Sequence, residues 1–166
     1  MDRVKIDLSK KEDIERFRHL KPRTMVLLSG TIYTARDQAH RRLESDFKKG
    51  RLPIDLRDKI VYYCGPTLPK KGRPIGSCGP TTSSRMDKYV NLTVSLGLLG
   101  VIGKGERSED VLLTLSRSGV RYLVAPGGAG AYLSTKVTAS RIVLYPDLGP
   151  EAIRELEVQD FPALIW

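Results

Sequence analysis

Cysteine, histidine and long apolar runs are scarce in this chain of 166 residues, and each scarcity removes a class of function. Two cysteines, Cys64 and Cys78, are too few for a disulfide framework or a self-contained tetrahedral metal site. They stand 14 positions apart, without the short C-x-x-C spacing that makes a metal reading specific, and read as two reduced thiols in or near a core. A 4Fe–4S cluster takes more cysteine ligands than this chain has, so any cluster has to be held by another polypeptide. No apolar stretch approaches the roughly 18–20 residues needed to span a bilayer. The opening residues Met1-Asp2-Arg3-Val4-Lys5-Ile6-Asp7 alternate charge with apolar side chains and lack a signal-peptide core, so a cytoplasmic, soluble protein is the expectation. Internal repeats, low-complexity tracts, an aromatic stacking platform and a basic-helix motif are also missing.

What remains is ordinary in amount and basic in balance. The 40% hydrophobic and 28% charged content suits a globular domain, and 166 residues suit a single one over 1–166. The formal charge of +9 fits a nucleic acid, a membrane surface, an acidic partner subunit or a small polyanion. Its lysines and arginines are spread along the chain, and the pairs Arg41-Arg42, Lys48-Lys49 and Lys70-Lys71 are short and interrupted. A solvated, salt-laced surface is preferred to a nucleic-acid stripe, and a basic nucleic-acid-binding module is kept as the competing reading from another class.

Apolar runs rich in Val, Ile and Tyr predict strands over 4–8, 24–29, 60–64, 98–102, 120–124, 141–145 and 163–166. Helix-like segments lie between them, which makes this an α/β domain. Thr34-Ala35-Arg36-Asp37 resembles a capping box, and Ala35, Ala39, Leu43 and Phe47 follow at four-residue spacing up to Gly50. Ser108 caps a second helix, with Glu109 and Asp110 in its first turn, an apolar face of Val111, Leu112 and Leu115, and a stop at Gly119. Pro150 suits the first position of a third, short helix over 151–157. The stretch 65–80 holds four prolines and four glycines and is a loop; one that long inside a compact domain is more often functional than idle.

Three places combine a turn with a cation. In the first, Arg36 and Asp37 sit where a strand runs through Gly30 into a helix start. Arg36 there either forks onto a carboxylate or is a surface residue. His40, one turn on, is a candidate acid or base, though a lone histidine is more often structural. In the second, Thr81-Thr82-Ser83-Ser84 precede Arg85. Thr81 and Arg85 share one helical face if the helix includes both, and a hydroxyl beside a guanidinium suits an oxyanion. In the third, Lys104 stands between Gly103 and Gly105, and the turn Pro126-Gly127-Gly128-Ala129-Gly130-Ala131 follows a later strand. Neither turn has the spacing of a nucleotide-binding loop. Arg36, Arg85 and Lys104 together suit a small dianion, with no carboxylate pair or metal set to match. These residues define that ligand class and no reaction.

At these residues the sequence resembles the beta subunit, or C-terminal domain, of class I iron–sulfur fumarases and L-tartrate dehydratases. The matching strings include Ala35-Arg36-Asp37-Gln38-Ala39-His40, Tyr63-Cys64-Gly65-Pro66, Gly79-Pro80-Thr81-Thr82-Ser83 with Arg85-Met86-Asp87, Gly103-Lys104-Gly105, and Pro126 to Ala131. They run in order along nearly the whole chain. Cys78, where a small residue is expected, and Lys88 depart from the pattern. The resemblance implies a swivelling β/β/α fold and reversible hydration of a C4 dicarboxylate, fumarate to L-malate first, with L-tartrate dehydration as the alternative. It implies a 4Fe–4S cluster held by a partner alpha subunit, acting as Lewis acid on the substrate. It also implies a hetero-oligomer that is active only when assembled; a homodimer of the isolated chain stays open. By the same resemblance Arg36 and Arg85 bind substrate carboxylates, Lys104 assists, and Thr81 accepts the C3 proton opposite an acid from the partner.

Overall fold

The computed structural model describes residues 3–166. In chain order these form β1 (Arg3–Asp7), α1 (Lys11–Arg18), β2 (Met25–Thr34), α2 (Asp37–Lys48), β3 (Ile60–Tyr62), a 3-10 turn (Ser83–Tyr89) leading into α3 (Val90–Ser95), and β4 (Gly100–Gly103). Then come α4 (Glu109–Arg117), β5 (Arg121–Val124), α5 (Gly130–Ser134), β6 (Val137–Leu144), a second 3-10 turn (Pro146–Glu151) and β7 (Ile153–Ile165). This is the α/β domain expected of the strand–helix alternation.

The sheet closes on itself. Strands β2, β3, β4 and β5 run parallel, and β7 joins β5 back to β2 in antiparallel pairing. Closure leaves the five ring strands little open edge, mainly the short stretch of β7 around Pro162. β1 lies beside the first half of β2 and β6 beside the first half of β7, as flanges on the ring. One feature of β2 makes this possible. Its register against β7 slips between Leu28 and Gly30, where Gly30 has φ 114° and a Cβ would lie 3.1 Å from that of Leu8. A bulge of this kind bends a strand. One edge of β2 therefore serves β1 from Met25 to Ser29 and β3 from Tyr33 onward.

Both faces of the parallel strands are covered, which is why β3 and β4 read as unbroken apolar runs. Ile60 and Tyr62 belong to one core with Leu28, Ile32, Leu123 and Phe161. Val61 and Tyr63 point into the other, with Ala39 and Leu43 of α2, Leu92 of α3 and Leu115 of α4. The apolar spacing read in the α2 and α4 sequences is the spacing that fills this second core, except that Phe47 is exposed. Ser108 caps α4 as expected, accepting from the Val111 amide at 3.4 Å, and Gly119 follows the helix at φ 74°.

Two expectations fail. Residues 151–157 form no helix: Glu151 ends a 3-10 turn, and from Ile153 the chain is the longest strand. The physical reason is the period. Leu156 and Val158 are buried while Glu155 and Glu157 reach the other side, onto Tyr33 and Arg141 and onto Thr31 respectively. Pro162 sits inside the same strand because the edge of β7 away from β2 pairs with β6 only as far as Val158 and with β5 only from Leu164. The second failure is the capping box at Thr34. Thr34 stays in β2, where its hydroxyl accepts from the Arg154 amide at 3.1 Å, and α2 starts at Asp37. A different group takes over the capping: the Gln38 amide donates to the Glu151 carboxylate at 3.1 Å.

Candidate functional site: a cationic depression at the strand ends

The four parallel strands of the ring all end at one rim, and each leads into a segment that contributes to a single open depression of about 420 Å³. Arg36 lies two residues beyond β2, Gly65 three beyond β3, Lys104 directly after β4 and Gly128 four beyond β5. Ser77, Thr81, Arg85 and Gly130 complete much of the lining. Carboxyl ends of parallel strands are where α/β sheets bind ligands, because loops diverge there above a fixed frame. All four residues singled out in the sequence, Arg36, Thr81, Arg85 and Lys104, meet in this one place.

Backbone hydrogen bonds hold them in register. The Thr81 amide donates to the Tyr63 carbonyl at 2.7 Å, the Lys104 amide to the Thr81 carbonyl at 3.2 Å, and the Ser83 amide to the Lys104 carbonyl at 2.9 Å. A short parallel bridge between Thr82 and Lys104 results, continuing the sheet past the formal end of β4. Thr81 and Arg85 do not share a helical face, because the 3-10 turn begins at Ser83 and leaves Thr81 outside. They line the same depression all the same.

The electrostatics are uneven. One Asp37 oxygen lies 3.3 Å from Arg36 Nε and 3.0 Å from a terminal nitrogen of Arg85, and Glu151 lies 3.4 Å from Arg36 Nε. Asp37 thus spaces the two guanidiniums. Each of them engages a carboxylate through one nitrogen and keeps further N–H donors of its fork. Lys104 has no acidic partner within ion-pair distance, and the Thr81 hydroxyl has no protein hydrogen bond, among the described residues. A cation and a hydroxyl without protein partners, beside two guanidiniums held by a shared carboxylate, can take an anion with at least two oxygens.

Close approach is built into the frame at Gly103. A Cβ there would lie 1.9 Å from the Ser83 hydroxyl and 2.8 Å from the Tyr63 ring, both fully buried. Gly103→Ala is expected to lower unfolding stability by about 2 kcal/mol through overpacking. Because Lys104 is the next residue, the substitution also displaces its amide from the Thr81 carbonyl. Urea unfolding checks the first effect, and ligand affinity of the folded fraction checks the second.

The remaining candidates separate. His40 is buried, its Nδ1 donates to the Arg36 carbonyl at 2.8 Å, and its ring packs on Tyr63 and Tyr89 at centroid distances of 5.5 and 5.4 Å. Burial pushes its pKa down to about 4, against the smaller opposing pull of the Arg36 carbonyl and Asp37. It is a core residue beneath the site. Cys64 and Cys78 are free, buried thiols, and burial pushes Cys78 up to about 12 and Cys64 well above the ordinary thiol range. No group of three or more His, Cys, Asp or Glu side chains comes together among the described residues. Among the described residues, then, no side chains are grouped to hold a transition-metal ion or a cluster by themselves.

Sequence reasoning missed Arg107, whose buried side chain lies under the rim, and Glu151. Arg107 stands between a glycine turn and the α4 cap and reads locally as one more surface charge. Nothing in the local pattern shows that it meets Asp87, 20 residues earlier, at 2.7 Å.

A closed α/β domain with a cationic, hydroxyl-bearing depression at its strand ends has the chemistry to accept an oxyanion. Comparison with known proteins narrows this. The chain matches the family described as "Fumarase C-terminus" over residues 1–166. It is 40% identical to the anaerobic class I fumarate hydratase of Escherichia coli K12, over 98% of this chain and 30% of that protein. It is 38% identical to the putative L(+)-tartrate dehydratase subunit beta of Methanocaldococcus jannaschii, over 93% of this chain and 81% of that one. Fumarate hydratase 2 of Leishmania major is 37% identical, over 98% of this chain and 29% of the relative. The chain belongs to the fumarase C-terminus family. It spans about 30% of the length of the fumarate hydratases it matches. No helix among the described residues is long and apolar enough to cross a membrane.

Proposed function

We propose that this chain is the substrate-gripping subunit of a two-part iron–sulfur hydro-lyase that reversibly hydrates fumarate to L-malate. The observation that carries the reading is the convergence of Arg36, Thr81, Arg85 and Lys104 on one depression, in a chain whose family includes fumarate hydratases. Dehydration of L-tartrate is the second reading, favoured by a specific fact: the tartrate dehydratase beta subunit is covered over 81% of its length. Both substrates are C4 dicarboxylates and make the same demands on this chain.

In this reading Arg36 and Arg85 take the two carboxylates through the N–H donors that Asp37 and Glu151 leave free, and so orient the substrate. Thr81 accepts the C3 proton. A threonine hydroxyl is a very weak base, and the neighbouring charges of Lys104 and Arg85 favour its deprotonated form. The Lys104 amide, bonded to the Thr81 carbonyl, ties the two backbones together, and both residues line the same depression. A 4Fe–4S cluster on a partner alpha subunit would supply a Lewis acid for the substrate hydroxyl, and an acid of the same partner would face Thr81 across the substrate.

The test is anaerobic co-expression with a cluster-bearing alpha subunit, followed by assays of fumarate–malate and tartrate–oxaloacetate interconversion. Activity on one pair, absent from either subunit alone, is the expected result. A correctly loaded complex inactive on both pairs would remove the hydro-lyase reading. Salt-dependent binding of this chain to nucleic acid would then bring the binding-module reading forward.

A further inference from the structure

Arg107 is a deeply buried charge, with its side chain 1% exposed, and it is not among the residues that line the depression. Its Nε lies 2.7 Å from an Asp87 oxygen, and a terminal nitrogen donates to the Tyr63 hydroxyl at 3.0 Å. Its guanidinium lies between two aromatic rings, 5.5 Å from the centroid of Tyr63 and 5.4 Å from that of Tyr122. Each of these partners belongs to a segment that carries a site residue. Asp87 is two residues after Arg85 in the same 3-10 turn. Tyr63 supplies the carbonyl that receives the Thr81 amide. The Tyr122 hydroxyl donates to the carbonyl of Gly105, next to Lys104, at 2.6 Å and lies 2.8 Å from the Ser83 hydroxyl.

From this convergence we infer that Arg107 is a positioning residue: it ties the turns bearing Arg85, Thr81 and Lys104 to one another and sets their spacing without touching substrate. The inference rests on reading the depression as a dicarboxylate site. Filling a core requires no charge here, since apolar side chains of similar volume replace buried ion pairs with little or no loss of stability. What an apolar plug lacks is direction. The planar guanidinium has donors at fixed angles, and here they are bonded to two separate segments at once.

The experiment uses the assembled complex and compares wild type with Arg107→Lys, Arg107→Met and the double substitution Asp87→Leu with Arg107→Met. The single Met variant leaves Asp87 unpaired and is expected to destabilise the fold. The double variant removes both charges and is expected to melt close to wild type. Its KM for the dicarboxylate is expected to rise about tenfold and its kcat/KM to fall about a hundredfold, the scale of a site misplaced by an ångström. KM is the deciding quantity. A residue that only supports folding changes how much complex survives, hence Vmax, and leaves the KM of surviving molecules unchanged. Arg107→Lys keeps a charge on Asp87 but has no fork to reach Tyr63 as well, and it carries the same test should the double variant not fold. A wild-type KM in whichever of these variants folds overturns the inference. An inactive wild-type complex overturns the functional reading itself, and the inference with it.

Discussion

On the hydro-lyase reading proposed above, Arg85→Ala is expected to lower kcat/KM for the dicarboxylate by roughly 10²–10³-fold while the complex still assembles. The magnitude follows from what the substitution removes. Arg85 has its side chain 52% exposed and no buried partner, so its loss leaves the fold nearly untouched. Its only acidic partner among the described residues is the Asp37 oxygen that also serves Arg36. Without Arg85 that carboxylate stays beside the remaining guanidinium, where it repels an incoming substrate carboxylate. The alanine variant therefore loses one anchor and gains an uncompensated negative charge at the other. Arg85→Lys restores the charge but not the fork and is expected to recover only part of the loss. Steady-state kinetics with a native-mass check on assembly measures both. Unchanged kcat/KM in the alanine variant would remove Arg85 from the substrate site.

Acid is expected to destabilise this protein through His40, starting well above the range in which its carboxylates titrate. In the unfolded chain the imidazole takes a proton below about pH 6.5. In the fold, burial holds that step down at about 4. Between these values the unfolded state binds more protons than the folded one, so stability rises with pH across the window. The contribution is complete above about pH 6.5 and is lost as pH falls towards 4. The gap is worth about 3 kcal/mol at full extent. The residue is buried, so solvent screening does not reduce it. Urea unfolding at pH 7 and pH 4.5 checks the slope. His40→Gln, which keeps an amide donor for the Arg36 carbonyl, is expected to flatten it. An equal slope in wild type and variant would place the acid sensitivity elsewhere.

Much of this was legible in the sequence, for identifiable reasons. Six of the seven strands overlap the expected apolar runs, because strands buried on both faces leave a dense local signal, although β2 runs five residues past 29 and β6 begins four residues before 141. The seventh, β7, was recognised only at its last residues. Its first half alternates glutamates with Leu156 and Val158, and Pro150 ahead of that stretch resembles a helix start. Only the neighbouring strands decide between the two. Helix α1 buries just Phe17 fully, too little apolar spacing to read. The site residues were visible because glycines, hydroxyls and cations stood together at turns, and the structure unites all four in one depression. Arg107 and Glu151 were invisible for the opposite reason. Each owes its role to a partner more than ten residues away, Asp87 for one and the Gln38 amide for the other, and no local pattern announces such a meeting.

The ring also decides where more polypeptide can be attached. Arg3 pairs with Met25, and Met25 pairs with Leu164 across the other edge of the same strand. With neighbouring strands about 4.8 Å apart, residues 3 and 164 lie roughly 10 Å from one another. Both stand at the entry end of β2, while the depression opens at its exit. Covalent fusion to a second module at either end would therefore load the far side of the ring and leave the rim free for docking. The same frame can then operate as a separate subunit or as one segment of a longer chain. Relatives of both lengths occur: the match covers 81% of one and 30% of another.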